Sequence, residues 1–365
     1  MTDTAIILWL DDEAAPGNSL LGGKFSSLSR VTASGIPVPH GFGVTTAAYR
    51  RFASSAGLSE EARCIREAAP GMALADIKGQ TAALIQGIMT APLPKDIDQA
   101  VRENYAKLEQ RTGIKDVPVA VRSSGDSEDL AGASFAGQYE TFLWICGIDA
   151  VLHHMRLCWA SMFGEAVLSY QQDGNNVISK GDFSICVGIQ HMVEARTAGV
   201  MFTLDPINGD RSKIVMEACW GLGEGVVKGD VTPSLFAVDK VSFEVIRRQI
   251  NLQIEEHRFD PCQGFVALTP VDELRQNMAC LSDQDILKLA ELAKKIETER
   301  HAPQDIEWAI NVAGEILVLQ VRPETVWSRR TPSALLSPSK SPVSYLLSRF
   351  SGEKIINTTP TTNNL

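Results

Sequence analysis

The residues Val119-Ala-Val-Arg-Ser-Ser-Gly-Asp-Ser-Glu-Asp-Leu130, continuing to Ser134-Phe-Ala-Gly-Gln-Tyr-Glu-Thr141, begin as a short apolar strand and turn into a polar, glycine-bearing loop. One arginine, Arg122, stands at the end of the strand. A guanidinium there can fork two donors onto phosphate oxygens. Ser123, Ser124 and the amides around Gly125 and Gly137 offer further donors, and glycines let a nucleotide come close. The same residue types also suit a plain polar loop between a strand and a helix.

Composition bounds what surrounds this stretch. The chain has 365 residues, 44% of them hydrophobic and 21% charged, which is ordinary for a water-soluble globular protein with two or three lobes. Its formal net charge of −10 argues against nucleic-acid binding. The seven cysteines form no C-x-x-C pair, which argues against a disulfide framework and a zinc site. The apolar run 5–10 is too short for a membrane span and lacks a basic flank, so a cytoplasmic location without membrane attachment is expected.

Upstream of the arginine, 6–10 reads as a first strand. Leu21-Gly-Gly-Lys-Phe25 opens a helix whose Phe25, Leu28 and Val31 share a face. Lys24 beside two glycines suits a phosphate contact, although a helix entry with an exposed lysine fits too. Thr46 is read as the cap of a helix reaching Phe52, and 58–111 as helical scaffold broken at Pro92 and Pro94. Downstream, 148–172 reads as one long helix and 183–189 as a strand. That strand leads into Gln190-His-Met-Val and Ala198-Gly-Val-Met-Phe-Thr-Leu-Asp-Pro206. A strand over 214–217 delivers Gly221-Leu-Gly-Glu-Gly225. Residues 231–248 read as a hairpin and 261–269 as loop with a short strand. Ser282 with Asp285 starts a helix ending near Arg300.

Two alternating runs, 305–310 and 316–322, flank turn residues 311–314 and read as a β-hairpin. Period two puts Asp305 and Glu307 on one face and Gln320 and Arg322 on one face. An odd pairing sum, with Asp305 opposite Gln320 and Glu307 opposite Val318, makes the polar faces coincide; an even sum separates them. Coincident faces gather hard oxygen donors beside a guanidinium, which favours Mg²⁺. The alternative is a hairpin with its charges in water.

Arg122-Ser-Ser, Glu128-Asp129-Leu130 and the Ser134–Thr141 run closely resemble the nucleotide-binding domain of pyruvate phosphate dikinase, phosphoenolpyruvate synthase and rifampicin phosphotransferase. The resemblance runs from about Gly22 to about Thr325, with the motifs in the family's order. It implies an α+β, ATP-grasp fold: two lobes with the nucleotide between them, at 1–182 and 183–327, plus a linker-like C-terminal tail at 328–365. It implies that Lys24, Arg122 and Arg322 hold and neutralise ATP phosphates. Glu307 and Gln320 then bind Mg²⁺, and Gly137, Thr141 and Gln190 line the nucleotide pocket.

The chemistry implied is transfer of a phosphoryl group from ATP to a histidine, with AMP and phosphate as products. None of the six histidines lies in the Gly/Thr-rich context of the family's phosphohistidine. A partner subunit carrying that histidine and the acceptor site is therefore expected. The family's split system, phenylphosphate synthase, has a smaller ATP-binding subunit that this chain looks like. The other readings are an ATP-binding subunit of a phosphoenolpyruvate synthase or antibiotic phosphotransferase, and a non-catalytic ATP-sensing module. In the Ser/Pro-rich tail, Tyr345, Leu346, Leu347 and Phe350 are candidates to dock on a partner or to cap this chain's own core.

Overall fold

A computed structural model describes residues 4–68, 74–125, 140–170 and 184–327. Gly137, the loop 126–139 and the tail residues Tyr345, Leu346, Leu347 and Phe350 lie outside that range. The chain divides into Met1–Thr325 and Val326–Leu365, and the first unit contains every strand and helix among the described residues.

Alternating residues build the first sheet. Its strands are β1 (Ile7–Trp9), β2 (Gly41–Val44), β3 (Val119–Gly125), β4 (Thr141–Ile145) and β5 (Ile185–His191). They lie antiparallel in the order β1-β2-β5-β3-β4. One face carries Phe42, Val44, Val119, Val121, Val187 and Ile189, all fully buried. It packs beneath α2 (Thr46–Ser55), α3 (Ser59–Ala68), α4 (Leu74–Thr90), α5 (Lys95–Thr112), α6 (Ile148–Ser161) and α7 (Glu165–Tyr170). Two helix boundaries differ from the sequence reading. Thr45, not Thr46, caps α2: its backbone is extended and its hydroxyl accepts from the Ala48 amide. The expected single helix over 148–172 is two helices. At Phe163 and Gly164 the amides turn back to the carbonyls of Ala160 and Ser161, tightening the chain out of α geometry.

The other face of this sheet is stripped of side chains at Gly43 and Gly188, paired neighbours on β2 and β5. That stripping admits α1 (Gly22–Ala33). A Cβ on Gly188 would sit 1.9 Å from the Phe25 ring, and one on Gly43 2.5 Å from Leu21. Phe25, Leu28 and Val31 of α1 then join the core of the second sheet, so one helix is packed against both.

The second sheet has the order β13-β12-β6-β7-β8-β9. Its strands are β6 (Ala195–Phe202), β7 (Lys213–Trp220), β8 (Ser234–Asp239), β9 (Val245–Gln249), β12 (Gln304–Asn311) and β13 (Ile316–Pro323). Met201, Ile214, Met216, Phe236, Ile306, Trp308 and Ile310 form its apolar face. Against them lies α9 (Asp283–Arg300), with Ile286, Leu289, Ala293 and Ile296 inward. The Ser282–Asp285 capping box that the sequence signals is present, with both reciprocal bonds formed.

A short helix, α8 (Glu224–Lys228), follows the glycine-rich segment. Residues 261–269, expected as loop with one short strand, are a turn over 261–264 followed by β11 (Phe265–Pro270), and the unexpected feature is its pairing with β10 (Glu255–Asp260). Asp260 closes the turn by accepting from the Cys262 amide, and Gly264 takes the left-handed backbone at φ +76°. Among the described residues no helix is long and apolar enough to cross a membrane.

Candidate functional site

The β12–β13 hairpin brings its polar residues to one face. The pairing is odd-summed, but shifted from the register expected from sequence: Asp305 faces Arg322 and Glu307 faces Gln320. The reason is a bulge. Beyond Glu307 the ladder slips by one residue, so that Trp308 pairs with Val318 and Leu319 is left out of the pairing. The turn is closed by Asn311, whose side-chain oxygen accepts from the Glu315 amide, and by Gly314 at φ +84°.

The bulge gives Arg122 its seat. Arg122 Nη1 donates to the Leu319 carbonyl at 2.8 Å. Its Nη2 donates to Gln320 Oε1 at 3.0 Å and to Glu307 Oε2 at 3.4 Å. Two oxygens from paired residues on neighbouring strands therefore converge on one guanidinium from the other sheet. The arginine side chain is 11% exposed, so water screens these contacts weakly. Arg322 lies two residues along β13, and its Nε and Nη2 both stand 2.7 Å from Asp305 Oδ2.

Lys24 stands in the first turn of α1, partly buried. That turn is fixed to both sheets. The Phe25 amide donates to Ser124 Oγ at 3.1 Å, and Ser124 Oγ donates to the Leu21 carbonyl at 2.8 Å. Ser27, one turn on and on the same helix face as Lys24, donates to the Val321 carbonyl at 2.7 Å. Lys24 is thus flanked by attachments to the strands that carry Arg122 and Arg322.

These bonds correct the reading of Ser123 and Ser124 as phosphate donors. Both are fully buried. Ser123 donates to the Glu140 carbonyl and Ser124 is consumed by α1. Gly22 has a packing duty as well: at φ +63°, a Cβ there would lie 2.0 Å from the Ser124 carbonyl oxygen.

Thr141 pairs directly with Arg122 across β3 and β4, and its side chain is exposed. Gln190 pairs with Ala120 on β3, and its buried carboxamide donates to the Pro39 carbonyl at 3.3 Å. Around Ala120 a third apolar cluster gathers Met192, Val193, Ala198, Leu222 and Ala309. Ala309 lies on the same face of β12 as Glu307, because side chains alternate along a strand. A patch of small and aliphatic side chains therefore adjoins the polar end formed by Arg122, Glu307 and Gln320. An apolar wall beside cationic and oxygen-bearing groups suits a planar base at one end and phosphates at the other.

Charge on this face is costly to hold. Burial raises the Asp305 carboxyl above the ordinary range, with the Arg322 guanidinium opposing the rise. Burial likewise raises Glu217, which lies on the same sheet face, separated from Glu307 by Val200 in the pairing row. The native state therefore holds the Glu217 proton more tightly than the unfolded chain does. Stability from this group is complete below the ordinary glutamate range and is lost as pH climbs through the raised native value. Glu217→Gln is expected to raise the melting midpoint at pH 7 and to flatten its decline above the glutamate range, as read by thermal scans across pH. An unchanged pH profile would contradict the burial.

The fit to Mg²⁺ rests on the donor set. Among the described residues no three acids, histidines or cysteines form a metal cage. Glu307 and Gln320 instead aim two hard oxygens at one cationic group. Two protein oxygens, completed by water and phosphate, are the usual provision for Mg²⁺.

The sequence reading grouped Asp305 with the hairpin's hard oxygen donors; in the structure its carboxylate is taken up by Arg322. Period two had already placed it on the correct face. The tie between Arg122 and the Leu319 carbonyl carried no signal, since a bulge is not visible in an alternating pattern.

Residues 18–341 match the family described as pyruvate phosphate dikinase, AMP/ATP-binding domain. The chain is 36% identical over 361 residues to a phosphoenolpyruvate synthase of Aeropyrum pernix, covering 91% of this chain and 44% of that protein. It is 41% identical over 320 residues to a probable phosphoenolpyruvate synthase of Methanothermobacter thermautotrophicus, covering 86% and 45%. It is 37% identical over 321 residues to the prodigiosin synthesizing transferase PigC of Serratia marcescens, covering 88% and 33%. The chain spans less than half the length of each of these relatives.

Proposed function

Since this chain belongs to the pyruvate phosphate dikinase AMP/ATP-binding domain family, we propose that it is the ATP-binding component of a dikinase-type phosphotransferase. In this reading ATP lies with its base on the Ala120–Ala198–Ala309 patch and its phosphates toward Arg122, Lys24 and Arg322. The observation that carries it is the convergence of Glu307 Oε2 and Gln320 Oε1 on the Arg122 guanidinium.

In this reading the attacking histidine lies on a phosphohistidine domain outside residues 1–365, since none of the six histidines here has that family context. Its ring nitrogen bonds to the β-phosphorus as the α,β-bridging bond breaks, and AMP leaves with that electron pair. Water then removes the γ-phosphoryl as phosphate, and the remaining phosphohistidine passes its phosphoryl to the acceptor. This chain's residues position and neutralise charge, and need supply no nucleophile. Arg122 and Lys24 grip phosphate oxygens. Arg322, held by Asp305, answers the charge that builds as the bridging bond breaks. Glu307 and Gln320 would hold Mg²⁺, which when bound supplies further neutralisation of phosphate oxygens.

The named relatives favour a phosphoenolpyruvate-synthase-like system, with pyruvate as acceptor. Phenol, the acceptor of phenylphosphate synthase, is the alternative acceptor in this reading. The test is to incubate the chain with ATP and Mg²⁺, alone and with a phosphohistidine domain from a phosphoenolpyruvate synthase, adding pyruvate or phenol. AMP is expected only with the histidine domain. Formation of ADP would overturn the dikinase reading, and nucleotide binding with no AMP under any pairing would favour an ATP sensor.

A further inference from the structure

The glycine-rich segment Gly221–Gly225 lies on the patch proposed to hold the base. Leu222 belongs to the cluster with Ala198 and Ala309, and a Cβ on Gly223 would be 3.5 Å from that of Ala198. A segment with three glycines in five positions has little local preference for one conformation. Its end is the first turn of α8 and its start is held from outside: the Gly221 amide donates to the Arg196 carbonyl, and His257 of β10 reaches Leu222, Gly225 and, past α8, Asp230.

The His257 carbonyl accepts from the Leu222 amide at 2.9 Å. The imidazole edge lies over Gly225, where a Cβ would come within 3.1 Å of Cδ2. Nε2 stands 2.9 Å from Asp230 Oδ2, just past the end of α8. A carboxylate only accepts, so this contact places a proton on Nε2. The other nitrogen, Nδ1, is buried without a hydrogen bond among the described residues, 3.6 Å from Glu224 Oε2. The residue is 7% exposed. Its platform is also fixed: Phe259, two residues along β10, stacks on Trp144 of β4 with centroids 4.8 Å apart and planes 10° from parallel. Trp144 accepts an unfavourable positive φ of 60° in the strand that makes this stack.

We infer that His257 is the positioning residue of the glycine-rich loop, holding residues 221–230 against the nucleotide patch by clamping the loop's start and end together. This rests on the proposed nucleotide site. The clamp acts on binding rather than on bond breaking, because His257 reaches the loop and not the Arg122–Glu307–Gln320 group.

The experiment measures affinity for the Mg²⁺ complex of a non-hydrolysable ATP analogue on the full chain, by calorimetry, for wild type, His257→Ala, His257→Gln and Asp230→Ala. Amide hydrogen exchange over 221–230 and the melting midpoint are read on the same samples. His257→Ala and Asp230→Ala are each expected to weaken binding about tenfold, the usual worth of a hydrogen bond to a charged group. Exchange in 221–230 should rise while the melting midpoint stays near wild type. His257→Gln, whose amide nitrogen replaces the Nε2 donor, should return affinity to within about threefold of wild type. Asp230 is exposed, so its variant breaks the same bond even if His257→Ala fails to fold. Wild-type affinity in Asp230→Ala, or a glutamine variant that folds yet restores nothing, overturns the clamp and leaves the nucleotide site standing. Absence of any binding by wild type overturns the site itself, and the inference with it.

Discussion

Arg122→Ala is expected to lower AMP formation by about a hundredfold to a thousandfold, the usual loss when one preorganised donor is removed from a charge-stabilising site. The reason lies in what the guanidinium joins. It donates to Leu319 O, Gln320 Oε1 and Glu307 Oε2 at once, and is shielded from water while doing so. Removal leaves the Glu307 carboxylate without its cation and cuts a tie between the two sheets. Arg122→Lys is expected to recover little. One ammonium keeps the charge but lacks the planar fork that reaches three acceptors in different directions. Steady-state AMP assays with the histidine domain present would decide it. Activity of the lysine variant within about threefold of wild type would show that charge alone matters and that the fork geometry does not.

Gly188→Ala is expected to be among the most destabilising single-methyl additions in the chain. The added carbon would sit 1.9 Å from two atoms of the fully buried Phe25 ring. Overpacking of this kind costs about 1–3 kcal/mol and sometimes more. The ring cannot swing away freely, because the Phe25 amide is bonded to Ser124 and α1 is bonded to β13 through Ser27. Relief must therefore come from displacing the helix that carries Lys24. A lowered melting midpoint and a weaker nucleotide affinity should appear together. Gly79→Ala in α4 is the control: nothing lies within 4 Å of its Cβ position, and a helical glycine replaced by alanine gains about 0.5–1 kcal/mol. Equal midpoints for the two variants would refute the close-contact account.

The two variants probe different levels of legibility. Arg122, Glu307, Gln320 and Arg322 are named by the family resemblance, while period two alone groups Asp305 with Glu307 and Gln320 with Arg322; the structure brings Arg122, Glu307 and Gln320 together. The capping box of α9 and the turn at 311–314 were legible because each satisfies backbone groups within a few residues. The break between α6 and α7, the pairing of β10 with β11, and the burial of Ser123 and Ser124 were not. Each is settled by what packs against the segment rather than by the segment itself.

Read alone, the chain shows where most strands and helices lie and which side chains share a strand face, since local periodicity and capping are short-range physics. Only the tertiary structure decided the register that sets Glu307 against Gln320, the bulge that frees the Leu319 carbonyl for Arg122, and the duty of Asp305 in orienting Arg322. A one-residue slip in a β-ladder changes no local preference, yet it moves every side chain relative to its neighbour. Such choices are made by contacts between segments far apart in the chain, here the glycine-faced sheet, α1 and the second sheet closing on one another.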